Sequence, residues 1–442
     1  MDLTRKMSVD ILSAFDTNNE RLPKIIDEYT KKYEVPFSQK KRSKAAVNEI
    51  IRYRGLIDHI IEESSSRKMR NIKPKLKSIL RLGCYDLLFD EIIPEFAAIH
   101  SSVELGKKLV NKKSGSMVNA VLRNMQRKQD SDPTWLKTIK HNNIELSFPK
   151  WLVNKWIKQF GESNTKKLCK SYIKKSPMFL RVDTNQISLI KAKRLLNQSS
   201  IEVECYEIFN SFLKVLSGQD KVFDDNLFKC GIISIQDPAS AAVAELIKPE
   251  NGDVILDVCA APGTKSLLMA QKVGGGGKVL ASDKDISRVE LGMSDIKRHK
   301  NKNIHWSVLD ATKDTFPMAE KILIDAPCTG TGVLGRRPDI KWRLKKKDFL
   351  SMRKIQISIL NHMAKFLKIG GKIVYATCSL EHEENFSVIN EFLYGNKNFS
   401  IIPSNTFLPK DWVNSDGYLM TMPYETGSDG LFGAVLQKNE IT

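Results

Sequence analysis

The chain has 442 residues, 41% of them apolar, and its 70 Lys and Arg against 51 Asp and Glu leave a net charge of +19. That length is too great for one ordinary core and predicts two or three domains. No stretch reaches about 18 uninterrupted apolar residues, so no membrane span is expected, and the opening MDLTRKMSVDILSAF lacks the apolar core and cleavage site of a secretory signal.

The basic excess admits a solvated, lysine-rich surface or a polyanionic partner. Nucleic acid is the first partner to consider, because neutralising phosphates releases counterions. There are seven cysteines, an odd number, and none forms a C-x-x-C pair. A disulfide framework or a zinc site is therefore not expected, and a reducing cytosol fits.

Residues 1–135 read as helices. AAVNEIIRYRGLIDHII sets Val47, Ile50, Ile51, Ile57, Ile60 and Ile61 on one helical stripe. Pro74 stands where a new helix begins, and Pro94 breaks the chain before EFAAIHSSVELGKKLV. SGSMVNAVLRNMQRK starts with small capping residues and ends basic. Basic residues lie among the apolar ones throughout, which suits solvated outer faces and a nucleic-acid-binding helical module equally. The polar KQDSDPTW, Lys128 to Trp135, has the character of a domain boundary.

Residues 136–240 open on the aromatic helix PKWLVNKWIKQF and then mix strands (MFLRVDT, IEVECYE, SFLKVLS) with the helix ISLIKAKRLLNQ. They predict a small α+β domain and carry no chemical motif. From 241 to 442 strand and helix alternate. DVILDVC, KVLASD, NIHWSVL, KILIDA and KIVYAT are the strands, and the pattern predicts a doubly wound parallel sheet. Ligands of such sheets bind at the carboxyl ends of the strands.

The first of these strands runs into DVCAAPGTKS, Asp257 to Ser266, a small-residue turn shaped by Pro262 and Gly263. A tight turn lets backbone N–H groups approach a ligand closely. Asp283 closes the second strand, where an acidic residue can accept from both hydroxyls of a ribose. Asp310 follows the third, where an adenine edge would lie. Both aspartates also suit plain strand-end caps. With no G-x-G-x-x-G or G-K-[ST] to cradle a pyrophosphate, the three strand ends favour S-adenosylmethionine over a dinucleotide.

The fourth strand ends in DAPCTGTG, with Asp325 last in the strand and Cys328 beyond it; the fifth ends in YATCS, with Cys378. A lone cysteine is most often small core filling, the reading that fits Cys84, Cys169, Cys205 and Cys230. Two thiols at adjacent strand ends beside a carboxylate point instead to chemistry. A thiol titrates near 8.5 and needs activation to attack at neutral pH, which basic neighbours can supply. The residues alone do not rank Cys328 against Cys378.

DVCAAPGTK, DAPCTGTGVLGRRPDIKW and VYATCSLEHEEN together resemble the RNA 5-methylcytosine methyltransferases of the Nop2/Sun (RsmB/RsmF) family. SQKKRSKAAVNEIIRYRGLIDHII, LRLGCYDLLF and VNAVLRNMQRK resemble a NusB-type RNA-binding domain. The resemblance covers nearly the whole chain and implies three parts. They are an all-α NusB-like domain, a small α+β domain and a Rossmann-like class I methyltransferase domain. It implies a cytoplasmic, monomeric enzyme that needs no metal or membrane. That enzyme methylates cytosine C5 in 16S rRNA, naked or in early small-subunit particles, from S-adenosylmethionine.

By that resemblance Cys378 is the nucleophile, Cys328 assists product release and Asp325 holds the cytosine. Cys259, Ala260, Ala261, Pro262, Gly263, Thr264, Lys265, Asp283, Asp310 and Asp325 map onto cofactor-binding positions. Thr264 departs from the glycine usual there. The chemistry agrees: carbon 5 of cytosine is a poor nucleophile until a thiolate adds to carbon 6.

GRRPDIKWRLKKK, Gly335 to Lys347, gathers basic residues around an aromatic one. Arg336, Arg337, Lys341 and Trp342 are candidates for single-stranded RNA contact, against the alternative of a solvated helix start. DNA cytosine methylation would use the Pro-Cys cysteine alone, exocyclic-amine methylation would need no thiol, and an inert RNA-binding factor would need neither cysteine.

Overall fold

The computed structural model describes residues 2–18 and 20–440, which form two compact units. Of the described residues, those up to 174 and 334–343 form one; 175–333 and 344–440 form the other.

The first unit is helical: α1 Leu3–Thr17, α2 Leu22–Lys32, α3 Phe37–Arg52, α4 Arg54–Ser65, α5 Pro74–Leu88, α6 Glu95–Leu109, α7 Lys112–Ser131, α8 Trp135–Asn142, α9 Lys150–Phe160 and α10 Glu162–Ile173. The stripe from Val47 to Ile61 is fully buried, yet the helix carrying it breaks at Tyr53, between α3 and α4. α7 begins earlier than its small residues suggest. Its cap is Asn111, whose side chain accepts from the Ser114 N–H at 2.8 Å.

The polar stretch 128–135 joins α7 to α8 and does not divide the units. Helices α8 to α10, expected with the α+β domain, pack with the helical one. Their seed is a cluster of Phe148, Trp156 and Tyr172 rings with centroids 5.8 to 6.5 Å apart.

Residues 334–343 fall between strands of the other unit in sequence but belong to this one. They cap the end of α3. The last carbonyls of a helix lack intrahelical partners. Here the Ile51 carbonyl accepts from Trp342 Nε1 and the Arg52 carbonyl from Lys341 Nζ, each at 2.8 Å. The Arg52 side chain answers by donating to the carbonyls of Gly335 (2.7 Å) and Tyr172 (3.0 Å). Gly55, at the start of α4, is required by close approach: a Cβ there would lie 1.8 Å from the Leu146 carbonyl oxygen.

The second unit holds two sheets. β1 Met178–Val182, β2 Glu202–Cys205, β3 Phe212–Ser217 and β4 Ile233–Ile235 form an antiparallel sheet in the order β2-β3-β1-β4. α11 Leu189–Gln198 packs on it through Ala192 and Leu196, and the one-turn α12 Asn226–Lys229 precedes β4.

The larger sheet contains β5 Val254–Val258, β6 Lys278–Asp283, β7 Ile304–Val308, β8 Ala319–Asp325, β9 Leu367–Thr377, β10 Phe399–Ile402, β11 Leu419–Met420 and β12 Phe432–Lys438. Its order is β10-β12-β9-β8-β5-β6-β7, with β11 pairing β12. The run from β7 to β9 is parallel, as the alternating pattern predicts; β10, β11 and β12 add an antiparallel edge. The helices are α13 Pro238–Leu246, α14 Thr264–Val273, α15 Ile286–His299, α16 (the Ile340–Arg343 turn of the helical unit), α17 Lys346–Met363, α18 Phe386–Gly395 and α19 Pro423–Thr426. One core joins α13 and α14 to one sheet face, and Phe179 and Phe212 of the small sheet enter it. A second joins α17 and α18 to the opposite face. Among the described residues, no helix is long and apolar enough to cross a membrane.

Candidate active site

The chain runs from β5 outward through β6 to β7, then returns to lay β8 and β9 on the other side of β5. Strand order therefore reverses at β5, and a crevice opens beyond the carboxyl ends there. All of the expected chemistry converges on this edge.

Beyond β5 the turn residues Cys259 and Gly263 adopt left-handed backbone, with φ of 59° and 100°. Gly263 is demanded twice, since a Cβ would also meet the Trp306 ring at 2.8 Å. Thr264 is the first residue of α14 and is outside the left-handed region, so its place needs no glycine. Asp283 ends β6, nearly fully buried. Its Oδ1 accepts from the Asp285 N–H at 3.1 Å. Its Oδ2 faces Arg288 at 3.1 Å but has no aligned hydrogen-bond donor. Asp310 behaves as the cap that the sequence also allowed: its Oδ1 accepts from the Thr312 N–H (2.9 Å) and hydroxyl (2.7 Å), which hold its pKa below the usual carboxylate range.

Asp325 ends β8, and Lys265 of the first turn of α14 donates to its Oδ2 at 2.7 Å. Burial works against the Lys265 charge. The Asp325 carboxylate outweighs it, with a smaller contribution from Cys378, and the lysine is held above its ordinary value. Asp257, buried beneath, is pushed up to about 7, chiefly by burial.

Ala326 still donates to Ala376 at 2.9 Å, continuing the β8–β9 ladder. Pro327 then removes a donor, and the two strands end in their cysteines. Cys328 Sγ and Cys378 Sγ lie 3.2 Å apart as free, half-buried thiols. Basic neighbours do not lower the Cys328 thiol. The bond to Cys378 raises its pKa well above the usual range, followed by burial, the Cys378 charge, and the Glu384 and Asp325 carboxylates. Cys84 and Cys169 are buried as core filling, whereas Cys205 and Cys230 are exposed.

The basic stretch is corrected in part. Lys341 is 1% exposed, and burial drives its pKa well below the ordinary lysine value; its amine lies 4.0 Å from the Phe148 ring centre. Trp342 is half-buried, with Arg54 5.2 Å from its ring. Both pack in the helical core. Arg336 and Arg337 are half-buried, and Arg337 pairs with Asp339 at 3.1 Å. Lys345, Lys346 and Lys347 are exposed.

Glu384 escaped the sequence reading. It is fully buried, and its carboxylate accepts from Ser379 Oγ (2.6 Å), from the Thr329 N–H (2.9 Å) and hydroxyl, and from Gln356 Nε2 (3.0 Å). Glu381, Glu383 and Glu384 look alike in LEHEEN, and only the fold selects among them.

A reversed strand order, a strand-to-helix turn of small residues and a buried aspartate after the second strand define a Rossmann-like methyltransferase. Residues 244–437 match the family described as 16S rRNA methyltransferase RsmB/F. Residues 2–127 match the NusB family, and residues 148–220 match the ferredoxin-like domain of RsmF/B-like methyltransferases. A probable ribosomal RNA small subunit methyltransferase B of Bacillus subtilis is 34% identical over 383 residues, 84% of each chain. The crystal structure of PH0851 superposes with a TM-score of 0.78 at 24% identity, covering 98% of this chain and 99% of that one. NSun6 from Pyrococcus horikoshii, solved with SFG, gives 0.60 at 22%, covering 66% and 99%. The chain belongs to the 16S rRNA methyltransferase RsmB/F family. Membership makes it an rRNA methyltransferase, and the family's methyl donor is S-adenosylmethionine.

Proposed function

We propose that the protein methylates carbon 5 of a cytosine in 16S rRNA through a covalent adduct to Cys378. The observation that carries this is the pair of thiols 3.2 Å apart, at the ends of adjacent strands, with Asp325 on the same edge. The two sulfurs are close enough to share a proton, so one can act while the other remains a thiol. The family resemblance gives the attack to Cys378, and Lys265 is the cation that its charge acts on.

S-adenosylmethionine, when bound, supplies an electrophilic methyl group. The site suits it. The buried Asp283 Oδ2 lacks an aligned donor, as an acceptor for ribose hydroxyls should. The turn Cys259, Ala260, Ala261, Pro262, Gly263, Thr264 and Lys265 offers a close backbone approach, and Asp310 completes the three strand ends. A neighbour of the same fold is described with SFG, an analogue of that donor.

In the proposed reaction Cys378 Sγ bonds to carbon 6, and the ring electrons displaced by that bond make carbon 5 nucleophilic. Asp325, fixed by Lys265, holds the cytosine edge at N3 or the amino group. After methyl transfer a water molecule takes the carbon 5 proton, the C–H electron pair restores the C5–C6 double bond, the C6–S pair returns to Cys378, and Cys328 assists that release. The target base must be unpaired or flipped to reach the crevice. Arg336 and Arg337, with the exposed Lys345 to Lys347, are the RNA-facing part of the basic stretch. The enzyme is proposed to act as a cytoplasmic monomer, without a metal, on naked rRNA or early small-subunit particles.

The test is to incubate the enzyme with labelled S-adenosylmethionine and unmodified 16S rRNA and to map the label. The reading expects 5-methylcytosine. Label on an exocyclic amine, or none on any RNA, would overturn it.

A further inference from the structure

Glu384 touches neither strand end by sequence, yet one buried carboxylate joins both cysteine loops. Thr329, which it holds by main chain and side chain, directly follows Cys328; Ser379, which it holds by its hydroxyl, directly follows Cys378. Gln356, its fourth donor, also donates to the Pro327 carbonyl at 2.9 Å, on the other side of Cys328. The Glu384 main-chain carbonyl accepts from Tyr375 Oη at 2.7 Å, anchoring the clamp to β9.

The clamp takes over where the ladder ends. Beyond Ala376 the loops keep one main-chain bond, Gly332 N–H to the Cys378 carbonyl at 2.9 Å. All four groups on the Glu384 carboxylate are arranged to donate, so it is an acceptor on every side; burial still holds its pKa above the usual glutamate value, with the four hydrogen bonds pulling the other way. Its charge also acts on Cys328.

We propose that Glu384 is the positioning residue of the two-cysteine site. It sets the Cys328–Cys378 spacing by holding the residue that follows each cysteine. This rests on the two-cysteine reading above, but its test does not require methyl transfer. Glu384→Gln keeps the shape, removes the charge and replaces one acceptor oxygen by a donor. Thr329→Val and Gln356→Met each withdraw part of the clamp without touching the carboxylate.

The experiment measures iodoacetamide alkylation of each cysteine against pH by peptide mass spectrometry, with thermal unfolding and methyl transfer on the same full-length proteins. In Glu384→Gln the Cys328 profile is expected to move to lower pH by at least one unit, and methyl transfer to fall more than tenfold. Thr329→Val and Gln356→Met are expected to shift it the same way by less. If Glu384→Gln does not fold, a shift in those two supports the clamp, and unchanged profiles in both overturn it. Unchanged Cys328 profiles in all three folded variants likewise overturn it. Full activity in Cys378→Ala would instead sink the two-cysteine reading, while the alkylation profiles still decide the clamp.

Discussion

Trp342 donates its indole N–H to the carbonyl of Ile51, 291 positions earlier, at 2.8 Å, and with Lys341 it closes the end of α3. A segment that reads as an RNA platform is thus a helix cap. Trp342→Ala removes a large ring from this core and the side-chain donor from a helix-end carbonyl. The expected cost is about 3 kcal/mol, seen as a lower melting temperature. Affinity for 16S rRNA fragments, measured on the folded protein, stays within about twofold. An RNA-contact residue would reverse that pattern, weakening binding with no change in melting.

Lys265 and Asp325 form the ion pair beneath the proposed base site. Lys265→Met preserves length and removes the charge. Methyl transfer is expected to fall by about two orders of magnitude, the usual weight of a positioned charged group in a transition state. Single-turnover rates at saturating cofactor and RNA check this, and a loss confined to KM would count against it.

Asp283 is the expected ribose acceptor. Asp283→Asn should weaken S-adenosylmethionine binding by about 10- to 100-fold, the equivalent of losing hydrogen bonds to a charged acceptor. Calorimetric titration reads this directly, and the single-turnover rate at saturation should stay near wild type.

Asp257 gives a pH signature. Burial pushes its carboxyl up to about 7 in the folded protein, while the unfolded chain titrates near the usual ~3.9. Between those values the folded state holds a proton that the unfolded chain has released, so stability falls as pH rises through that window and levels off above it. Asp257→Asn should flatten the part of the slope between about pH 4 and 7. Urea unfolding at a series of pH values is the check, and an unchanged slope would show that other groups set it.

Much of this was legible in the sequence, for physical reasons. Apolar alternation and period point to the elements, and Asp283, Asp325 and the two cysteines follow short apolar runs bounded by turn residues, the pattern of buried strands. What stayed hidden depends on long-range partners. The break at Tyr53 and the roles of Lys341 and Trp342 depend on each other across most of the chain. Lys341 looks like any surface lysine until its carbonyl partner is known. Glu384 stands among carboxylates of identical local character. The exposure of Cys205 and Cys230 follows from where their strand and turn lie, not from their residue type. The antiparallel edge strands β10 and β12 close the sheet without carrying any motif.

The central claim, that Cys378 attacks and Cys328 releases, is tested most directly by trapping the adduct. Wild type, Cys328→Ala and Cys378→Ala are incubated with S-adenosylmethionine and labelled, unmodified 16S rRNA, then resolved under denaturing conditions. The expected result is a covalent protein–RNA band that accumulates in Cys328→Ala and is absent from Cys378→Ala, with turnover lost in both. A band that persists in Cys378→Ala and is missing from Cys328→Ala would contradict the assignment.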